Sequence, residues 1–247
     1  MHPVVQTIQQ QLPPLLTHTL VGIYCYGSLV WGDFDPDISD IDLLVVLRQD
    51  VDKELFDTLA AFHQTLEAQF PDWAGRIEIA YISFTALETF KTQRSPISVI
   101  SPGEPFNTKD AGLDWLINWY TIRAQSIVVY GPAAEDIIPA ISIEEFRTAV
   151  RDQIGEWVDW VHHAGDESPS HAYVILTICR ALYSVQTGHQ TSKLCAAAWA
   201  KTHHPSQVVR IDKALQWRLE WRNVDPTQAA ESFADAVAMV EYAARVR

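Results

Sequence analysis

Hydrophobic and polar residues alternate in two different ways along this chain, and the change comes near residue 140. Before it, the segments 20–27, 40–47 and 76–84 are short apolar runs rich in β-branched residues. Runs of this length and composition are typical of strands, and the run at 40–47 is apolar enough for the middle of a sheet. The first part of the chain is therefore predicted to contain a β-sheet.

Helical spacing surrounds these strands. Apolar residues three or four positions apart from Val4 to Leu12 predict a helix that ends at Pro13-Pro14, and those from Leu55 to Leu66 predict a second helix that stops at Pro71. The segment 95–110 carries three prolines and a glycine. We expect it to be a long loop, and long loops in compact domains are often functional.

From about Ile141 the pattern is helical throughout, with five predicted helices joined by short connections. Ser142 is followed three residues later by Glu145, the arrangement of a capping box at a helix N-terminus. Gly188 is predicted to cap the C-terminus of another helix. The chain is thus predicted to be α+β, with a mixed sheet and helices over 1–140 and an all-α bundle over 141–247.

Composition indicates an ordinary soluble globular protein, since 48% of residues are hydrophobic and 20% are charged. No apolar run approaches the roughly 20 residues that cross a bilayer. The three cysteines are few and widely spaced, which favours a reducing compartment over a disulfide framework. We expect a cytoplasmic protein that does not bind membranes, and a monomer is favoured.

Charge changes this picture more than composition does. The formal net charge is −13, and there is no local cluster of basic residues, so binding to nucleic acid is not expected. The segment 144–167 alone holds seven acids and two arginines. This run is either a solvated helix face or a surface that attracts a cationic ligand.

The most informative segment is 26–47, "YGSLVWGDFDPDISDIDLLVVL". Side chains two residues apart in a strand share a face, so Asp40 and Asp42 are expected to project together beside a loop. Two such carboxylates suit Mg²⁺, which takes oxygen ligands and commonly binds substrate phosphates as well. Gly27 lets a phosphate approach the backbone, and the hydroxyls of Ser28 and Ser39 could bind phosphate oxygens.

A plainer interpretation exists for the acids alone, because "SDID" could be a turn into a strand with both carboxylates solvated. The complete pattern, Gly-Ser, ten residues, then Ser-Asp-x-Asp between two apolar strands, is much rarer by chance. It favours a site that binds a nucleoside triphosphate through a metal and leaves in-line attack to a second substrate.

These motifs resemble those of a known family. The segment 26–47 resembles the signature of the nucleotidyltransferase superfamily that includes DNA polymerase beta. More narrowly, the chain resembles the aminoglycoside (3'')(9) adenylyltransferases, also in "RAQSIVVYGPAAE", "VILTICRALYSVQTG" and "SKLCAAAWA". The matches run in order from about residue 20 to residue 200. The resemblance implies an N-terminal nucleotidyltransferase domain over 1–140 and a helical substrate- and nucleotide-binding domain over 141–247.

The resemblance also implies roles for individual residues. Glu78 would be the catalytic base, Asp40 and Asp42 would hold Mg²⁺, and Gly27, Ser28 and Ser39 would bind ATP. In the helical domain, Arg180 and Lys193 would bind the nucleotide phosphates. The residues expected to contact a cationic acceptor are Asp114, Trp160 and Asp166. The acceptor segment departs from the family pattern around Ser170, where the family has an acid.

Three functions are compatible with these features. The first is Mg²⁺-dependent transfer of AMP from ATP to a hydroxyl of a streptomycin- or spectinomycin-type antibiotic, with release of pyrophosphate. The second keeps this chemistry with a protein hydroxyl or an unknown small molecule as acceptor. The third is a nucleotide-binding module without catalysis, which would be favoured if Glu78 faced away from Asp40 and Asp42.

Overall fold

The computed structural model describes all 247 residues. Contacts between Cα atoms divide the chain into two compact units, Met1–Ala140 and Ile141–Arg247. The first unit is a mixed sheet with helices and the second is helical, so the predicted α+β class is confirmed. None of the helices combines the length and the apolar character that a membrane span requires.

The first unit contains a six-stranded sheet in the order β5-β4-β3-β2-β1-β6. Strands β2 and β3 are parallel, and every other neighbouring pair is antiparallel. The strands are β1 (Leu20–Tyr26), β2 (Ile41–Leu47), β3 (Ile77–Ser83), β4 (Ser95–Ser101), β5 (Glu104–Ala111) and β6 (Ile127–Tyr130). The three strands predicted from the apolar runs are thus the centre of the sheet.

Six helices belong to this unit: α1 (Pro3–Leu15), α2 (Ser28–Trp31), α3 (Lys53–Gln69), α4 (Phe84–Thr89), α5 (Leu116–Ala124) and α6 (Ala134–Ile137). Buried residues of α1 and α3 share one hydrophobic core with alternate residues of β1, β2 and β3. Alternation of side chains along a strand therefore leaves Asp42 and Glu78 on the opposite face of the sheet from that core.

Two sequence predictions in this unit are wrong. Helix α1 does not end at Pro13-Pro14 but contains both prolines and continues to Leu15. The segment 95–110 is not a loop, because β4 and β5 form a hairpin there. Ser101 pairs with Glu104 across the turn at Pro102 and Gly103, where Gly103 has a φ of +80°. Proline followed by a glycine with positive φ favours such a turn.

The second unit consists of five longer helices: α7 (Ile143–Trp160), α8 (Ser168–Thr187), α9 (Lys193–His203), α10 (Val208–Trp217) and α11 (Ala229–Val246). The capping box of Ser142 and Glu145 forms at the start of α7. Gly188 ends α8 in the left-handed conformation, as expected for a C-terminal cap. Helix α8 is the most buried of the five and contacts the other four.

Candidate active site

Three polar side chains lie side by side on neighbouring strands of the sheet, those of Tyr26, Asp42 and Glu78. The antiparallel pairing of β1 and β2 places Tyr26 opposite Asp42, and the parallel pairing of β2 and β3 places Asp42 opposite Glu78. Strands in a sheet lie about 4.8 Å apart, and directly opposed residues point to the same face. Asp40 immediately precedes β2, and its charge acts on Glu78. The structure thus brings the predicted base and the two predicted metal ligands together.

Gly27 forms the turn from β1 into α2 and lies against Asp42. Its φ is +73° and its ψ is −146°, a conformation that side chains rarely adopt. A Cβ atom on Gly27 would overlap Oδ2 of Asp42. The carbonyl oxygen of Gly27 accepts hydrogen bonds from the N–H groups of Val30 and Trp31, which leads the chain into α2 at Ser28. Glycine is therefore required here both by backbone conformation and by space.

We predict that Gly27→Ala lowers stability by about 1–3 kcal/mol because of backbone strain, and that the new methyl group displaces the Asp42 carboxylate. Urea denaturation and an ATP-binding titration with Mg²⁺ measure the two effects. Gly103→Ala is the matched control, since Gly103 also has positive φ but has open space around its Cα. Gly103→Ala should lose stability and keep its affinity for ATP. Equal ATP affinity in the two variants would contradict the inference that the contact between Gly27 and Asp42 matters for binding.

Ser39 is buried in the segment that leads into β2. Its hydroxyl oxygen accepts a hydrogen bond of 3.0 Å from the N–H of Asp35, and its own N–H donates to the carbonyl of Asp35. The hydroxyl hydrogen of Ser39 can then be donated to another group. This geometry suits a hydroxyl that binds a phosphate oxygen next to Asp40.

The electrostatics of Glu78 suit a proton acceptor. Burial, and after it the charges of Asp40 and Glu104, raise its pKa to about 6, although Lys109 and a hydrogen bond from Ser101 oppose the shift. Lys109 itself pairs with Glu104 at 2.5 Å across the β4–β5 hairpin. A carboxyl group with a pKa near the working pH is an effective general base.

This shift predicts a pH-dependent stability. Because the folded pKa of about 6 lies above the ordinary value of 4.5, Glu78 favours folding below pH 4.5 and loses that contribution as the pH rises through 6. Without metal, Glu78→Gln should be more stable than the wild type at pH 7.5 by up to about 2 kcal/mol, and equal to it at pH 4. Denaturation in EDTA at both pH values tests this, with the exposed Glu88→Gln as control. A Glu78→Gln chain less stable than the wild type at pH 7.5 would contradict it.

The helical unit holds the two predicted phosphate ligands close to one face of α8. Tyr173 and Arg180 are seven residues apart on this helix, which places them on the same face two turns apart. Lys193 is the first residue of α9, and its Nζ lies 4.1 Å from the centroid of the Tyr173 ring. Tyr173 is thus a cation–π partner of Lys193 that the sequence did not indicate.

Of the residues predicted to contact the acceptor, two belong to the helical unit and one to the sheet unit. Trp160, at the end of α7, is 48% exposed and packs edge-on against Trp157 at 4.6 Å. Asp166 lies in the connection before α8, where its charge acts on His171. Asp114, in the other unit, already accepts hydrogen bonds from Arg94 and from the N–H of Gly112.

Tyr26, Ser101 and Lys109 are neighbours of the site that sequence reasoning missed. Burial and the charges of Glu78 and Asp42 hold the pKa of Tyr26 well above its ordinary value, so its phenol stays protonated. Ser101 and Lys109 belong to the hairpin that was predicted as a loop. Only the strand register brings them near Glu78, although the Pro102-Gly103 turn could have indicated that hairpin.

The donor set fits a divalent metal that binds together with a ligand. No group of three or more His, Cys, Asp or Glu side chains is arranged to hold a metal. Asp40 and Asp42 supply carboxylate oxygens, and the absence of a side chain at Gly27 leaves room for the Asp42 carboxylate. Mg²⁺ commonly binds in this way, with one or two carboxylates and the remaining ligands from phosphates and water.

Comparison with known families agrees with the division of the chain. Residues 8–94 match the family described as a nucleotidyltransferase domain. Residues 136–244 match the family described as the C-terminal domain of aminoglycoside adenylyltransferase. The two matches lie in the order expected of an aminoglycoside adenylyltransferase-like nucleotidyltransferase. The resemblance inferred from the sequence motifs is therefore confirmed.

Individual relatives of this adenylyltransferase-like enzyme cover most of its length. It is 29% identical over 217 residues to an aminoglycoside (3'')(9) adenylyltransferase of Klebsiella pneumoniae, covering 83% of this chain and 78% of the relative. It is 26% identical over 246 residues to a spectinomycin 9-adenylyltransferase of Campylobacter jejuni, covering 92% and 88%. These alignments include both units.

A solved structure has the same fold. The spectinomycin adenyltransferase of Enterococcus faecialis, crystallised with ATP and spectinomycin, matches with a TM-score of 0.74 at 20% identity. The match covers 98% of the adenylyltransferase-like chain and 97% of that structure. It confirms the architecture of a mixed-sheet nucleotidyltransferase domain followed by helices.

Proposed function

We propose that this enzyme transfers AMP from ATP to a hydroxyl of a streptomycin- or spectinomycin-type antibiotic, in a Mg²⁺-dependent reaction that releases pyrophosphate. The observation that carries the proposal is the placement of Glu78 opposite Asp42, beside the Gly27-Ser28 turn. The names of the aligned relatives support the choice of acceptor. Such an activity would confer antibiotic resistance.

Glu78 supplies the proton acceptor in this proposal. Its carboxylate takes the proton from the attacking hydroxyl, which then forms a bond to the α-phosphorus of ATP while pyrophosphate leaves. The pKa of about 6 leaves Glu78 largely ionised at neutral pH while keeping it basic enough for the task. A module without catalysis would be favoured if Glu78 faced away from Asp40 and Asp42, whereas Glu78 is paired with Asp42 across the sheet.

The remaining residues bind and orient ATP. Asp40 and Asp42 would hold Mg²⁺, which when bound supplies charge neutralisation for the phosphates. The hydroxyls of Ser28 and Ser39 donate to phosphate oxygens. In the helical unit, Arg180 and Lys193 are the residues that would bind nucleotide phosphates, and the absence of a side chain at Gly27 leaves room for the Asp42 carboxylate.

The exposed aromatic and acidic groups of the helical unit suit a cationic acceptor. Trp160 offers a half-exposed ring, and the face of an indole attracts ammonium and guanidinium groups. Asp166 supplies a carboxylate six residues further along the chain, and Asp114, predicted from the family resemblance, is paired with Arg94. The net charge of −13 favours the approach of a polycation.

Mass spectrometry of the acceptor tests this proposal. We would incubate the enzyme with ATP and Mg²⁺ and with streptomycin, spectinomycin or a total protein extract. The proposal predicts one AMP group added to streptomycin or spectinomycin and none added to protein. AMP found on protein hydroxyls, with both antibiotics unchanged, would overturn the antibiotic assignment and favour the protein-directed alternative.

Lys193 gives a prediction specific to nucleotide binding. Removing one charge-assisted hydrogen bond costs roughly 1.5–3 kcal/mol, so Lys193→Ala should raise the apparent KM for ATP by at least about tenfold. Tyr173→Leu removes the ring beneath the ammonium and should raise the KM by a smaller factor, whereas Tyr173→Phe keeps the ring and should change it little. An unchanged KM in Lys193→Ala would remove Lys193 from the site.

A further inference from the structure

Arg76 joins the strand of the predicted base to the segment of the predicted metal ligands. It lies immediately before β3, two residues from Glu78. Its Nη2 donates hydrogen bonds to two backbone carbonyls, that of Pro36 at 3.0 Å and that of Ser39 at 2.5 Å. The carbonyl of Arg76 in turn accepts a hydrogen bond of 3.0 Å from the N–H of Ile41. Side chain and backbone of one residue thus hold both ends of the 36–41 segment.

The segment held by Arg76 has no regular secondary structure of its own. Residues 32–40 are turns and irregular backbone between α2 and β2. Within it, Asp35 and Ser39 are linked by hydrogen bonds in a local turn. Local bonds shape that turn, but its position relative to β3 depends on contacts from outside. The carbonyl of Ser39 belongs to the peptide group that precedes Asp40, so its hydrogen bond to Arg76 orients the Asp40 backbone.

The guanidinium group of Arg76 is itself fixed by an aromatic cluster. Its Cζ lies 4.5 Å from the centroid of the Trp73 ring. Trp73 stacks on Phe34 at 5.7 Å and meets His2 edge-on at 4.6 Å. A planar guanidinium can stack on an aromatic ring and at the same time donate hydrogen bonds in its own plane, which a lysine ammonium cannot do. The contacts at this position therefore require arginine rather than a positive charge alone.

We propose that Arg76 is a positioning residue for the nucleotide-metal site: its guanidinium clamps the peptide group between Ser39 and Asp40. The clamp holds the Ser39 hydroxyl and the Asp40 carboxylate ready for Mg²⁺ and phosphate. This inference rests on the proposed function, because it presumes that ATP binds with Mg²⁺ at this edge of the sheet. Residues that orient metal ligands typically affect metal affinity by about 10–100-fold when they are changed.

The test measures binding rather than turnover. Isothermal titration calorimetry gives the Kd of ATP at a series of Mg²⁺ concentrations and in EDTA for the wild type, Arg76→Gln and Arg76→Lys. We expect Arg76→Gln to need at least about ten times more Mg²⁺ than the wild type for half-maximal tightening of ATP binding. Its Kd in EDTA should rise by a smaller factor, because the Ser39 hydroxyl is also less well positioned. Arg76→Lys should show a smaller increase in the Mg²⁺ requirement. It replaces Arg76→Gln in the comparison if Arg76→Gln does not fold.

Arg222→Gln is the matched control, because Arg222 also stacks on a tryptophan, at 4.7 Å from the Trp221 centroid. Its Mg²⁺ dependence should equal that of the wild type. An Arg76 variant with the Mg²⁺ dependence of the wild type would overturn the inference and leave the proposed function standing. An equal shift in Arg222→Gln would also overturn the inference. A wild type whose ATP binding ignores Mg²⁺ would overturn the proposed function, and the inference with it.

Discussion

Replacing Asp42 with asparagine should abolish turnover, with a loss of at least about a thousandfold in kcat/KM. An amide keeps the size of the side chain but removes the negative charge that binds Mg²⁺. A bound metal contributes several kcal/mol to stabilising the charge of the reacting phosphates, and each 1.4 kcal/mol corresponds to a factor of ten. Asp40→Asn should behave in the same way. Initial rates of pyrophosphate release over a range of ATP concentrations measure the loss.

The control for Asp42→Asn lies just beyond the other end of the same strand. Asp50 is an exposed acid that follows β2, and Asp50→Asn changes the net charge of the protein by the same amount. Its turnover should stay within about twofold of the wild type, as is usual for surface positions away from a site. If Asp42→Asn kept a tenth or more of the wild-type kcat/KM, Asp42 would not be a ligand of an essential metal.

Glu78→Gln should separate binding from chemistry. We expect the Kd of ATP in the presence of Mg²⁺ to stay close to that of the wild type, because Gln keeps the size of the side chain and the two aspartates remain. The kcat should fall by about 10²–10⁴, the usual contribution of a general base. Calorimetry for binding and single-turnover transfer for chemistry give the two values on one variant.

Two other outcomes for Glu78→Gln carry different meanings. Near-normal transfer would show that Glu78 is not the base. Loss of ATP binding together with loss of transfer would mean that Glu78 belongs to the nucleotide site instead. The split between kcat and Kd is therefore the informative quantity for this variant.

The centre of the fold could be predicted from the sequence because its signals are local. The apolar runs of β1, β2 and β3 are long and β-branched, and the caps of the helical unit are set by single residues such as Ser142 and Gly188. The β4–β5 hairpin was missed because its prolines were counted as strand breakers. Pro105 is tolerated because β5 is an edge strand, where a missing N–H costs least.

Helix α1 shows why a proline is a weak signal near a helix end. Pro13 and Pro14 lie in the last turn, and the backbone N–H of Leu16 still bonds to the carbonyl of Leu12. Val4, Val5, Ile8 and Leu12 of this helix are buried in the core. Packing of this apolar face outweighs the local preference of the two prolines.

The site could be predicted only in part, for a similar reason. Alternation along the predicted strand 40–47 puts Asp40 and Asp42 on one face without any knowledge of neighbouring strands, although β2 itself begins at Ile41. The position of Glu78 opposite Asp42 depends on strand register, as does the approach of Ser101 and Lys109. Arg76 gave no sequence signal at all, because its hydrogen bonds go to backbone carbonyls far along the chain.

The most direct test of the account is acceptor-dependent release of pyrophosphate. The enzyme would be supplied with ATP and Mg²⁺ and with each member of a panel of aminoglycosides and aminocyclitols, with Glu78→Gln alongside. We predict release that requires a streptomycin- or spectinomycin-type acceptor and disappears in Glu78→Gln. Release that is the same with and without every acceptor, or that persists in Glu78→Gln, would contradict the account.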